Sequence, residues 1–174
     1  MTTMHDIKSL LDEYQEQTHT TAIYPEDPKI AVSYLLLGLL SEIKEFVDAG
    51  TKDDAIPELG DVMWFASELA TLNGVQLSDI VFLDPLFKPP SGDIYAAGEM
   101  VSDLTDVAGF VAKYLRDNSS YQVEMNMFLC HVVITVDSIC DIMNVSFTQL
   151  LEDNLAKLRS RKARGKLSGS GDKR

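Results

Sequence analysis

YLLLGLLSEIKEF (residues 34–46) and PELGDVMWFASELA (residues 57–70) decide the fold of this chain. In both stretches apolar residues recur at the three- and four-residue spacing that is typical of amphipathic helices. The link between them contains Gly50, a residue type that favours the position just after a helix C-terminus. Because the link is short, the two helices are predicted to be antiparallel neighbours in an all-α bundle.

The remaining segments also favour helices. Ile7, Leu10, Leu11 and Tyr14 form the stripe of a first helix, and Pro28 suits the first turn of the second. The third helix is predicted to have Asp53 or Asp54 as its N-cap, with Pro57 in its first turn, and to end at Asn73–Gly74. Further helices are predicted over about 77–83, 94–116 and 121–143, and from the capping-box sequence SFTQ (146–149) onward. The β-branched run VVITV (132–136) lies within a longer helical pattern, so we predict helix there.

Length and composition indicate one globular domain. The chain has 174 residues, of which 45% are hydrophobic and 24% charged, and we assign residues 1–164 to the domain and 165–174 to a flexible basic tail. The apolar run at 34–40 is too short to span a bilayer, and the N-terminal segment has no signal-peptide core. Cys130 and Cys140 stand ten residues apart in one helical pattern, so they do not pair there. We therefore expect a cytoplasmic protein with reduced thiols and no membrane partner.

Charge is unevenly distributed along the chain. The formal net charge is -12, but residues 157–174 contain eight basic residues and one acidic residue, which leaves seven basic and 26 acidic residues before them. The acidic body argues against a nucleic-acid partner, which needs a basic face. The basic end is open to two interpretations: a solvated helix terminus favoured by the helix dipole, or a cationic arm that holds an anion at an acidic site.

A weak internal repeat relates residues 59–80 to residues 129–150 at an offset of 70. One interpretation is a duplication, which would make the bundle a pair of helical hairpins with a degenerate second half at about 94–150. The other is that two amphipathic helices share a period by chance. In this alignment His131 replaces Asp61, which argues against a second intact acidic site.

Two acidic pairs border the most apolar segments. Glu42 and Glu45 share one helical face near the end of the second helix, and Glu58 and Asp61 share another near the start of the third. Four converging carboxylates repel one another unless a cation lies among them, and a site of oxygen ligands alone suits Mg²⁺ or Mn²⁺. The alternative is a solvated acidic face, since an acidic chain contains many such pairs.

These two stretches resemble the MazG-like group of all-α nucleoside triphosphate pyrophosphohydrolases, whose Glu-x-x-Glu and Glu-x-x-Asp signature stands here as Glu42, Glu45, Glu58 and Asp61. The opening segment around YQEQTHTTAIYP (14–25) and the end of the chain, DNLAKLRSRKARGKLSGSGDKR (153–174), are similar to phage and bacterial members. The longer middle of the chain resembles the related dimeric dUTPases, in which one chain holds a degenerate second module.

The resemblance implies hydrolysis of a (d)NTP to the monophosphate and pyrophosphate, with the four acids as Mg²⁺ ligands and one glutamate also orienting the attacking water. It implies phosphate contacts from Asn154 and Lys157, with Arg161 and Arg174 as weaker candidates, and a homodimer or higher homo-oligomer. The rival hypothesis is a non-catalytic bundle that binds a metal, a nucleotide or a partner protein.

Three further side chains have a structural and a functional interpretation. Trp64 is either part of the core or stacks on a base, and His19 is a candidate contact to a base or sugar. Glu16 and His19 have the Glu-x-x-His spacing of di-iron bundles, but a single such motif argues against that centre. His131 is predicted to be a core or partly exposed histidine.

Overall fold

The computed structural model describes residues 4–89 and 91–166, and these residues form helices joined by turns, with no strand among them. The fold is therefore all-α, as the sequence predicts. The helices are α1 (Met4–His19), α2 (Pro28–Asp48), α3 (Lys52–Asn73), α4 (Leu77–Ile80), α5 (Asp93–Asp117), α6 (Gln122–Ile142) and α7 (Phe147–Ala163). The segment 132–136 is helical, and residues 167–174 of the predicted tail lie outside the described residues.

The helix ends follow from local sequence, with two corrections at the start of α3. The N-cap is Thr51, not Asp53 or Asp54: its extended backbone lets its hydroxyl accept a hydrogen bond from the Asp54 amide. Pro57 therefore falls beyond the first turn and lies inside the helix. The predicted end is confirmed, because Gly74 adopts the left-handed conformation with φ of 74°. The predicted helix start at Ser146 is confirmed, with the Ser146 hydroxyl accepting from the Gln149 amide, but the Gln149 side chain donates forward to Asp153.

Two helical hairpins, α2–α3 and α5–α6, pack against each other, with α2 against α5 and α3 against α6. Both contacts are antiparallel. Lys29, at the start of α2, donates to the Leu115 carbonyl near the end of α5 at 3.0 Å, and Asn73, at the end of α3, donates to the Gln122 carbonyl at the start of α6 at 3.2 Å. Helices α1 and α7 cover the other side of α3, so α3 is central to the core.

The turns that follow α3 and α6 have the same geometry. Gly74 and Asn144, which stand 70 residues apart, both have positive φ angles, of 74° and 51°. The next residue in each case donates back to a helix carbonyl, Val75 to Ala70 at 3.1 Å and Val145 to Cys140 at 2.9 Å. The internal repeat therefore has a structural counterpart in these two turns.

Helix α6 is the one helix in the described part of the chain with the length and hydropathy to cross a membrane, and 56% of its most apolar window is buried inside the bundle. The argument from the short apolar run at 34–40 against a membrane span does not apply to this helix. Both of its cysteines, Cys130 and Cys140, are buried and unpaired with each other.

Candidate metal centre

Three of the four predicted acids meet where α2 and α3 lie side by side. One carboxylate oxygen from each of Glu42, Glu58 and Asp61 lies within 4.8 Å of the other two. The neighbours Ile43 and Val62 are fully buried, so the hydrophobic core fixes the rotation of both helices and points the acids into the same space. Three oxygen ligands at this spacing are able to hold one divalent cation, with water completing its coordination.

Crowding of these acids changes the protonation of Glu42. Its pKa is raised from 4.5 to about 8, first by burial, then by the charges of Asp61, Glu45 and Glu58, and last by a hydrogen bond with Glu58. Such a cluster accommodates a proton or a metal ion as its counter-charge. The donor set, all oxygen and partly buried, fits Mg²⁺ or Mn²⁺.

Glu45, the fourth acid of the predicted signature, lies at the rim and is exposed. Its carboxylate accepts a hydrogen bond from the Ser41 hydroxyl at 3.3 Å, and it is not one of the three acids that lie within 4.8 Å of one another. Its charge still reaches the site, since it helps to raise the pKa of Glu42.

Helix α7 brings both of its predicted phosphate contacts to Asp61. The Asn154 Nδ2 donates to Asp61 Oδ1 at 2.8 Å, and the Lys157 ammonium pairs with Asp61 Oδ2 at 2.7 Å. In this state the two side chains hold a carboxylate, whereas the sequence interpretation assigned them to phosphate. Arg161 lies one turn further along α7 and is buried.

A close approach of α3 and α7 makes these contacts possible. A Cβ atom at Gly60 would lie 3.0 Å from both Cβ and Nδ2 of Asn154, so a larger residue would push α7 away from Asp61. On the α1 side, the buried Tyr14 hydroxyl donates to Asn154 Oδ1 at 2.8 Å. Burial, and then the charges of Asp61 and Glu68, raise the pKa of the Tyr14 phenol well above its ordinary value.

The other two predicted binding residues, His19 and Trp64, lie at the boundary between α1 and α3. The Trp64 indole donates to the Thr21 hydroxyl at 3.1 Å and packs edge-on against Phe65, so it has a structural role in this state. His19, whose side chain is 56% exposed, contacts the Glu68 carboxylate at 3.0 Å.

Glu68 is a buried carboxylate that the sequence interpretation missed. It is fully buried on α3, two turns after Asp61, and the Tyr24 hydroxyl donates to its Oε2 at 3.1 Å. Its Oε1 has no hydrogen-bond partner in the described residues. The available signal was an acid inside the apolar pattern of residues 62–70, where an acid needs a partner.

The second half contains a different polar cluster at the corresponding place. The His131 side chain is 20% exposed, and its Nδ1 lies 2.9 Å from Asp103 and its Nε2 3.3 Å from Asp84. Phe87 stacks on the imidazole ring with centroids 3.8 Å apart. His131 is therefore partly exposed, as predicted, and it links α6 to α5 and to the connection after α4.

Fold and site together define an all-α bundle with one cluster of three convergent carboxylates in the described residues. The chain is similar to the Gene 37 protein of Mycobacterium phage L5, with 34% identity over an alignment of 88 positions; the match covers 40% of this chain and 77% of the phage protein. The chain belongs to the family of this phage protein. No family model matches the chain, and no solved structure matches it.

Proposed function

We propose that this chain is a MazG-like, Mg²⁺-dependent nucleoside triphosphate pyrophosphohydrolase. It would convert a (d)NTP and water to the (d)NMP and pyrophosphate, and so control part of the nucleotide pool. The observation that carries this proposal is the convergence of Glu42, Glu58 and Asp61 within 4.8 Å, next to a lysine and an asparagine from α7.

The carboxylates would hold the metal, and the nearby α7 side chains would serve the substrate. A bound Mg²⁺ polarises phosphoryl oxygens and lowers the pKa of a coordinated water. Glu42, Glu58 and Asp61 supply the negative charge for the cation, while the exposed Glu45 lies where it can orient a water at the rim. The Lys157 side chain is 22% exposed, and it would exchange its contact with Asp61 for one with a phosphate oxygen of the substrate.

The apolar outer face of α2 supports the proposal of a homodimer or higher homo-oligomer. Ile30, Tyr34 and Leu37 are 56%, 45% and 69% exposed, and their spacing places them on one face of the helix. Light scattering coupled to size-exclusion chromatography measures the assembly directly.

A nucleotide panel tests the activity. The protein is incubated with Mg²⁺ and each common NTP and dNTP, including dUTP, and phosphate is measured with and without added inorganic pyrophosphatase. Signal that requires the added enzyme supports cleavage between the α and β phosphates. Phosphate without it indicates cleavage at the γ position and contradicts the proposal.

Absence of turnover with every nucleotide and metal would favour the rival hypothesis, a non-catalytic bundle. That bundle would still be stabilised by Mg²⁺ with nucleotide if it were a sensor, and by neither if it were a partner-binding module.

Glu152, which is exposed on α7, offers a matched control for substitutions of the clustered glutamates, because Glu152→Gln removes an acid of the same type away from the cluster.

A further inference from the structure

A continuous chain of hydrogen bonds runs from the buried Tyr14 side chain on α1 to the candidate metal centre. The Tyr14 hydroxyl on α1 donates to Asn154 Oδ1 on α7 at 2.8 Å, and Asn154 Nδ2 donates to Asp61 Oδ1 on α3 at 2.8 Å. Tyr14 is 1% exposed and Asn154 is 4% exposed. Both bonds are therefore shielded from competing water, so each has a large effect on the orientation of the group it holds.

The direction of these bonds selects one orientation of the Asn154 amide. A side-chain amide has one acceptor oxygen and one donor nitrogen, and its two flipped orientations have nearly the same shape. In the orientation present, both groups of Asn154 are satisfied. In the reverse orientation the amide oxygen would face a carboxylate oxygen of Asp61 with no proton between them, which is repulsive in a partly buried site.

Tyr14 contributes to this selection because its protonated phenol offers a donor where Asn154 presents its oxygen. The same hydroxyl also lies 3.4 Å from the Gly60 carbonyl, so it sits at the point where α1, α3 and α7 converge. If the hydroxyl were removed, Asn154 Oδ1 would be left buried without its donor, and the amide would gain by turning away.

We propose that Tyr14 is a positioning residue for Asp61, acting through the Asn154 amide. By fixing Asn154 Nδ2 on Asp61 Oδ1, it holds that carboxylate in the rotamer that converges with Glu42 and Glu58. Each carboxylate oxygen has two lone pairs, so Asp61 accepts from Asn154 and still has a lone pair for a cation. The effect on metal binding rests on the proposed function, whereas the effect on the Asn154 amide does not.

The test compares Tyr14→Phe with Tyr121→Phe, a matched control at another buried tyrosine, 5% exposed, at the start of α6. Mn²⁺ affinity is measured by calorimetry on proteins whose helical content matches wild type by circular dichroism. We expect Tyr14→Phe to weaken Mn²⁺ binding about tenfold, as partners of metal ligands do, and Tyr121→Phe to leave it unchanged. Because Tyr14 acts through Asn154, the double variant Tyr14→Phe/Asn154→Ala should bind no more weakly than Asn154→Ala alone.

A second measurement separates this inference from the proposed function. In the metal-free protein, the side-chain amide protons of Asn154 are followed by NMR, and we expect them to exchange about tenfold faster in Tyr14→Phe, corresponding to the loss of one hydrogen bond. Unchanged exchange overturns the inference, whatever the metal does. Faster exchange with unchanged Mn²⁺ affinity overturns the positioning of Asp61. If wild type binds no Mn²⁺, the proposed function fails, and faster exchange still supports the role of Tyr14 in orienting Asn154.

Discussion

Glu42→Gln is expected to raise the melting temperature of the metal-free protein at high pH and to abolish its stabilisation by Mg²⁺. The carboxyl of Glu42 has its pKa raised to about 8, first by burial and then by the charges of Asp61, Glu45 and Glu58. An acid with a raised pKa favours the folded state only while it is protonated. Its stabilising contribution is therefore complete below pH 4.5, the ordinary pKa, and is lost as the pH rises through about 8.

The magnitude follows from the difference between the two pKa values. Without screening, the rise in pKa from 4.5 to about 8 would destabilise the folded protein by about 5 kcal/mol at pH 9. Because the site is partly open to solvent, screening reduces this penalty to about 1–2 kcal/mol. Glutamine resembles the protonated acid and escapes this penalty. For a chain of this size, we expect the variant to melt about 3–6 °C above wild type at pH 9 and at the same temperature as wild type near pH 4.5.

The assay is thermal unfolding followed by circular dichroism, in EDTA and in Mg²⁺, at both pH values. Under the proposed function the order should reverse in Mg²⁺ at pH 9, because wild type would gain stability from the bound ion and the variant would lack one ligand. The control Glu152→Gln should match wild type throughout. A melting temperature for Glu42→Gln at or below that of wild type in EDTA at pH 9 would refute the reasoning.

Three other substitutions test separate parts of the structure. Asp61→Asn should keep its helical circular dichroism but lose pyrophosphate release by about 100-fold or more; activity within twofold of wild type would exclude Asp61 as a ligand. Gly60→Ala should lower the free energy of unfolding, measured in urea, by about 1–3 kcal/mol, because the added Cβ would lie 3.0 Å from Asn154. A stability equal to wild type would show that α7 shifts freely. His131→Gln should lower the free energy of unfolding by about 1–3 kcal/mol, because it removes the ring that contacts Asp103 and Asp84 and stacks on Phe87. It should also speed proteolysis of residues 81–92; an unchanged cleavage pattern would contradict this.

The sequence predicted the hairpin and its acids because these depend on helical periodicity, which is local. It did not predict the separation of Glu42 from Glu45. Residues three apart on a helix differ by about 60° in direction, so when Glu42 faces α3, Glu45 turns toward solvent. Which of the two glutamates faces α3 depends on how α2 is rotated against α3, and this rotation is set by packing in the core.

Contacts between distant segments were beyond the sequence interpretation. The partners of Glu68 Oε2 are His19 and Tyr24, which are 49 and 44 residues away in the chain; the local pattern marks the acid but not its partners. Lys157 and Asn154 were identified as site residues, but their contact with Asp61 depends on how α7 crosses α3. Lys157 pairs with Asp61 because the contact offsets the charge of both groups.

If the repeat records a duplication, it accounts for a single acidic cluster in the described residues. At the offset of 70, Asp61 corresponds to His131 and Asp84 corresponds to Asn154; Asn154 contacts Asp61, and Asp84 contacts His131. The acid and its partner exchange places between the two clusters. Asp61 is an acid that accepts from the Asn154 amide, whereas His131 is an imidazole that contacts the Asp84 carboxylate.

Lys157 has Phe87 as its counterpart at the same offset, and Phe87 likewise contacts the central residue, by stacking on His131. The second cluster thus places an imidazole between two acids, whereas the first brings three acids together next to Lys157. If the repeat records a duplication, two retained acidic sites would each carry the repulsion among their acids. Under that interpretation the second site has lost its acids, and α7, which is much longer than α4, contacts the acidic site that is left.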